Sequence, residues 1–295
     1  MLSTAPDGRR SFSARRSAAG KACSLPCGRC IGCRLERSRQ WAVRIVHESK
    51  MHDENSFLTL TYSPENIPKD RSLSVVHCQL FLKRLRSVLY PKKIRFFLCG
   101  EYGENLGRPH YHAIIFGYLP SDRVLIKGEG DLALWSSDSL SRIWGHGFVS
   151  IGSVSFDSAA YVANYATKKI TGALAPNHYK GLRPEFLLMS RRPGIGRPWL
   201  DKFASDVYPS DQVIVRGHPT RPPRYYDQLL EASDPAALAI LKAKRQAAAD
   251  KLEEYVLQSG RSVFVSPSCN DRRLKVREVV AKAKFNLKKR SQEKI

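Results

Sequence analysis

The chain has 295 residues and carries 49 Lys and Arg against 27 Asp and Glu, a formal charge of +22 that favours polyanionic partners. No apolar run reaches bilayer-spanning length, the Ser/Arg-rich start lacks the hydrophobic stretch of a secretory signal, and no G-x-x-x-x-G-K-[ST] phosphate loop occurs, so nothing indicates NTP hydrolysis or an attached helicase. The charge is uneven: residues 1–50 hold 11 basic and 3 acidic residues and residues 271–295 hold 10 and 3, which reads as a moderately basic domain between two cationic arms that add salt-sensitive affinity for phosphates.

Residues 1–50 read as a basic arm, a cysteine cluster and a leading helix from about Arg34 to Lys50. The cluster places Cys23, Cys27, Cys30 and Cys33 within 11 residues, and Gly28 and Gly32 permit the tight turns of a metal knuckle. Structural zinc suits four such thiols, with an iron–sulfur cluster as a second option. The quartet is more compressed than familiar zinc sites, so reduced, unliganded cysteines remain the alternative. Cys78, Cys99 and Cys269 are isolated and read as structural.

Residues 51–230 form the main domain. A strand over Phe57 to Tyr62 is followed by a helix from about Val75 to Tyr90 with a stripe of Leu80, Phe81, Leu85 and Leu89. Ile94 to Leu98 and the run beginning at His110 then read as a hairpin, with the Gly- and Asn-bearing stretch between them as the turn. Strand periodicity points His110 and His112 to one face and Tyr111 to the other, and the turn returns the chain so that Glu101 meets the histidines. Two imidazoles and a carboxylate leave coordination positions open, which is what metal-assisted phosphodiester chemistry uses.

A short helix near Asp138 to Trp144 and a strand over Phe148 to Ser155 lead to a helix with Asp157-Ser158 as its N-cap. Tyr161 and Tyr165 share a face of this helix, and Lys168 follows on the same side with Lys169 one residue round. A tyrosine becomes a useful nucleophile when a metal and a lysine draw charge off the phosphate it attacks, although the same i, i+4 spacing also describes a core stripe. His146, between glycines, reads as part of a turn rather than a ligand. Residues 172–225 are rich in Pro, Gly, Arg and aromatics and read as loops, and residues 231–295 as a helical basic extension. The order of elements predicts an α+β fold, an antiparallel sheet with flanking helices and basic N- and C-terminal extensions.

These residues resemble the HUH endonucleases, and among them the rolling-circle replication initiators of gokushovirus-type (Microviridae) single-stranded DNA phages. Leu58-Thr59-Leu60-Thr61-Tyr62 is similar to the first family motif, His110-Tyr111-His112 to the second and Tyr161 to Lys169 to the two-tyrosine form of the third, with Glu101 matching the acidic metal ligand. Pro26 to Arg34, Trp144 to Val149 and Met189 to Gly196 resemble further segments of that phage group. The resemblance implies an HUH/RRM-like nuclease fold and Mg²⁺ or Mn²⁺ on Glu101, His110 and His112. It also implies catalysis by Tyr161, Tyr165 and Lys168, and work in the host bacterial cytoplasm with a host helicase and polymerase.

The function expected is therefore nicking and rejoining of single-stranded origin DNA through a 5′-phosphotyrosine, with Arg108, Lys169, Arg191 and Arg192 contacting the DNA. A relaxase or transposase sharing the chemistry is the nearest alternative. A non-catalytic single-strand binder built from the Cys knuckle, basic arms and aromatics is the alternative of a different class.

Overall fold

The computed structural model describes residues 3–4, 10–11, 28, 30–103, 106–168, 175–208, 210–258, 276 and 278–284. The chain divides into two compact units, residues 1–36 with 264–295 and residues 37–263. In the first, β1 (Ser3–Thr4) pairs antiparallel with β2 (Arg10–Ser11). Helix α1 (Ile31–Ser49) is followed by β3 (Asn55–Tyr62), α2 (Val75–Leu89), β4 (Arg95–Tyr102), β5 (Pro109–Phe116), β6 (Val124–Lys127), β7 (Leu134–Ser136), α3 (Asp138–Trp144), β8 (Gly147–Gly152) and α4 (Phe156–Lys168). After these come α5 (Ala175–Tyr179), β9 (Phe186–Met189), α6 (Arg197–Val207), β10 (Val213–Val215), β11 (His218–Thr220), α7 (Arg224–Ser233) and α8 (Pro235–Gln258). Among the described residues no helix is long and apolar enough to cross a membrane.

Seven strands form one sheet in the order β6-β7-β8-β3-β5-β4-β9, every neighbouring pair antiparallel. This is the α+β architecture the sequence predicts. Alternation along β3 and β5 divides the interior into two layers. Leu58, Leu60, Tyr62 and Tyr111 face α2 and α3, packing with Phe81, Leu85 and Trp144. Phe57, Phe97, Cys99, Ile114 and Phe116 face α1 and α4, packing with Ala42, Ile45, Ala159 and Val162. Each fully buried Leu or Phe contributes roughly 1.5–3 kcal/mol, so both faces of the central strands are held in register by burial.

The first layer also holds a polar chain. Ser74 N–H donates to Tyr111 Oη at 2.8 Å, the two hydroxyls of Tyr111 and Tyr62 lie 2.7 Å apart, and Tyr62 Oη is 2.7 Å from His77 Nδ1. Two hydroxyls that would each be costly if buried alone satisfy one another. At the adjoining strand end Gly147 has φ +148°, and a Cβ there would lie 2.2 Å from Ser63 N, so only glycine lets the chain approach this closely. The approach seats Ser63 N–H on the His146 carbonyl at 2.8 Å and starts β8 beside the end of β3. The His146 ring stacks on His77, centroids 4.3 Å apart, within the turn region expected of it.

Several expectations are corrected. The buried stripe of α2 is Cys78, Phe81, Leu82 and Leu85, with Leu89 packed partly against it; Leu80 is 44% exposed because it falls one position round the helix from the core-facing line. The N-cap of α4 is Ser155, one turn ahead of Ser158: Ser158 N–H donates to Ser155 Oγ at 3.2 Å and Ser155 N–H to Ser158 Oγ at 2.8 Å, a reciprocal capping box. Asp157 instead lies in the first turn, ion-paired with Arg216. Residues 172–225, expected as loops, include β9 at the sheet edge, α6 and the β10–β11 hairpin. Beyond them α8 is fastened by Arg245, whose guanidinium bonds Asp211 (Nε to Oδ2, 2.6 Å) and Asp227 (Nη1 to Oδ2, 2.8 Å).

Candidate metal and tyrosine site

The register of the central strands builds the site. Glu101 in β4 is directly opposite His110 in β5, while in β3 Thr61 is opposite His110 and Thr59 opposite His112. All these side chains leave the sheet on the face of the second core layer, as the alternation of β3 and β5 requires. Glu101 Oε1 lies 2.6 Å from His110 Nε2 and 3.0 Å from His112 Nε2. One ligand atom from each residue lies within 4.8 Å of the others.

The outer nitrogens are also engaged. His110 Nδ1 is 3.1 Å from the Arg108 carbonyl and His112 Nδ1 is 3.0 Å from Thr59 Oγ1. A carbonyl only accepts, so the His110 proton belongs on Nδ1, and a neutral ring then turns a lone pair from Nε2 toward a carboxylate oxygen. Two lone pairs do not attract one another, so the geometry calls for a positive charge between them, either a second proton or a metal ion. Burial alone pushes the Glu101 carboxyl up, but hydrogen bonds from His110 and His112 outweigh it and hold the group at about 2. An ionised, buried carboxylate with two imidazoles fixed by second partners fits a divalent cation.

Helix α4 brings both tyrosines onto this cluster. The Tyr165 ring is nearly parallel to His112, with centroids 5.6 Å apart and planes at 14°, and the Tyr161 ring meets His112 edge-on at 5.1 Å. The two tyrosine rings are 4.8 Å apart at 85°. Phe57 flanks His112 as well, at 5.6 Å and 7°. Tyr161 is half-buried, whereas Tyr165 is only 7% exposed, and burial, then the Glu101 charge and Tyr161, push its hydroxyl above the ordinary range.

Residues 55–170, the span from β3 through α4 that supplies all five of these side chains, match the family model of the replication-associated protein ORF2. The chain is 34% identical over 244 residues to replication-associated protein VP4 of Bdellovibrio phage phiMH2K, covering 78% of this chain and 75% of that one. It is 34% identical over 246 residues to replication-associated protein ORF2 of Spiroplasma virus 4, covering 77% and 75%. The chain belongs to this replication-associated protein family. A third relative, replication-associated protein ORF4 of Chlamydia phage 1, is 31% identical over 216 residues, 70% of this chain and 53% of that one. Among solved structures none matches significantly.

In this replication-associated protein the remaining expected residues fall in different places. Lys168 ends α4, and Lys169 lies outside the described residues, as do Cys23, Cys27 and Cys269. Cys30 is exposed just before α1 and Cys33 lies in its first turn. Arg191 and Arg192 are exposed in the turn after β9. Arg108 is half-buried: its Nη2 donates to the Tyr62 carbonyl, and its own carbonyl receives Gly103 N–H at 2.9 Å as well as His110 Nδ1. It thus ties the metal hairpin to the end of β3. Sequence reasoning missed Thr59, which orients His112; the signal was present in the alternation of Leu58-Thr59-Leu60-Thr61, which puts both threonines on the face of the histidines.

Proposed function

We propose that this chain is a metal-dependent, sequence-specific nickase and strand transferase that starts rolling-circle replication at the origin of a single-stranded DNA phage. The observation that carries this reading is the packing of both Tyr161 and Tyr165 against His112, itself 3.0 Å from the Glu101 carboxylate. A Mg²⁺ or Mn²⁺ ion held by Glu101, His110 and His112 would supply Lewis-acid polarisation of the scissile phosphate.

The chain's own residues do the rest. The Oη of one tyrosine attacks phosphorus in line, a P–O(tyrosine) bond forms, the P–O3′ bond breaks, and the phenolic proton passes to the departing 3′ oxygen. The products are a 5′-phosphotyrosine and a free 3′-OH. Phosphodiester bonds are conserved in number, so a second 3′-OH can reverse the exchange and close the strand without ATP, while the other tyrosine keeps its hydroxyl for cutting the regenerated origin. Lys168, by its place in the sequence, offsets charge on the phosphate. With no phosphate loop in the chain, a host helicase and polymerase in the bacterial cytoplasm supply unwinding and synthesis.

The test is incubation of the protein with phage-origin single-stranded DNA and Mn²⁺, followed by a denaturing gel. The expected result is a shorter free strand and a covalent protein–DNA band. Binding without either product would leave only a single-strand binder.

A further inference from the structure

Phe148 is 66% exposed, although it sits in a strand of the main sheet. Its neighbours explain the orientation: Val149 and Ile151 are buried in the layer beneath α2 and α3, so Phe148 and Ser150 face the metal side. Strand register places it in one cross-strand row, with Phe148 opposite Thr61, Thr61 opposite His110 and His110 opposite Glu101. Two strand spacings separate Phe148 from the histidine, about 10 Å along the sheet. The next row repeats the pattern with Ser150, Thr59 and His112. The floor from the metal ligands to the aromatic ring is therefore lined by small hydroxyl side chains. The ring's backbone is fixed, because Gly147 is wedged against Ser63 and Thr61 Oγ1 donates to the Phe148 carbonyl at 3.3 Å.

We propose that Phe148 is the stacking platform for an unpaired base of the single-stranded DNA whose phosphate lies at the metal site. The inference rests on the reading of that site as acting on single-stranded DNA, and it adds the residue that holds the strand beside it. A flat apolar ring left bare on a rigid strand offers a π-face to a base, and every unpaired base offers one in return. Duplex bases have theirs covered by stacked neighbours. The chain's charge of +22 suits the accompanying phosphates, and the threonine and serine hydroxyls between ring and metal suit the polar backbone of such a strand.

The experiment measures affinity of the full chain for a labelled single-stranded oligonucleotide by fluorescence anisotropy, with EDTA present so that no cleavage occurs. Phe148→Ala should weaken binding on the order of 5- to 150-fold, by a similar factor at low and high salt, because stacking releases no counterions. Phe148→Trp and Phe148→Tyr should restore affinity, Phe148→Leu should not, and duplex affinity and Tm should stay at wild-type values. Wild-type affinity in Phe148→Ala, or full rescue by leucine, overturns the proposal. So does sedimentation showing that Phe148→Ala only dissociates a dimer, since a second copy would then cover the ring. Absence of a covalent adduct in wild-type protein with Mn²⁺ would instead sink the nickase reading, and the metal-free affinity comparison would still decide the role of Phe148.

Discussion

Tyr165 lies parallel to His112 with ring centroids 5.6 Å apart, so a residue of the tyrosine helix forms one wall of the metal cluster. Tyr161 meets the same imidazole edge-on and is the less buried of the two. In this arrangement Tyr161 is the tyrosine more open to an incoming phosphate.

Single Tyr→Phe variants should each still form covalent adduct with a single-stranded origin oligonucleotide, and Tyr161→Phe with Tyr165→Phe should form none. Early in the wild-type reaction, peptide mapping should find phosphotyrosine chiefly at Tyr161. Adduct retained in the double variant would reduce both tyrosines to core packing.

His110→Ala with His112→Ala should lose nicking at any Mg²⁺ or Mn²⁺ concentration while keeping most DNA affinity, which is carried by distributed Lys and Arg contacts. Thr59→Val should act more gently. Deleting the hydroxyl 3.0 Å from His112 Nδ1 loosens that ring, and removal of such an orienting partner typically costs about 10–100-fold in metal affinity. A Mn²⁺ titration of nicking measures it, with higher metal expected to restore the rate.

His47 predicts acid sensitivity of the fold. Burial, then the charge of Lys50, lower its pKa to about 3, and it sits neutral beside Tyr226 Oη at 2.9 Å and stacked on Trp199. The unfolded chain binds this proton below about pH 6.5 and the folded chain does not, so stability falls as pH drops through that window, by at most about 1.4 kcal/mol per pH unit from this group. Glu101 and Glu48, whose folded values are lowered, add their loss only further down, in and below the carboxylate range. Urea denaturation between about pH 5 and 6.5 should therefore show a shallower slope in His47→Gln than in wild type. An unchanged slope would mean the ring titrates normally.

Arg245 joins Asp211 and Asp227 to α8 through two forked pairs. Arg245→Ala leaves two half-buried carboxylates without their partner and should cost about 1–3 kcal/mol, with Arg245→Lys recovering only part because an ammonium cannot serve both forks. Equilibrium denaturation gives the loss, and amide exchange should locate it in α7 and α8. Loss spread evenly over the central sheet would contradict the assignment.

The site was legible because its chemistry coincides with short periodicities. Two histidines at i, i+2 and a carboxylate across a turn specify one strand face, and two tyrosines at i, i+4 specify one helix face, without knowledge of the rest of the chain. Less local features were hidden. Arg108 reads from the sequence as a DNA contact, yet its guanidinium reaches the Tyr62 carbonyl, an acceptor 46 positions away that no pattern announces. β6 and β7 are too short to show alternation, and all of β6 is exposed. Ser155 and Asp157 are both good caps, and only the backbone decides between them.

The capping box at Ser155 and Ser158 means that α4 is started by its own residues and not by the hairpin. The electrophile's cradle and the attacking groups thus reside on separately specified modules, one set by strand pairing and the other by a self-initiated helix. Such a division lets the number of nucleophiles on the helix change by single substitutions, one tyrosine or two, while the coordination shell stays intact. In the proposed reaction it separates the capacity to cut once from the capacity to cut and then close, making turnover rather than cleavage the property most easily lost.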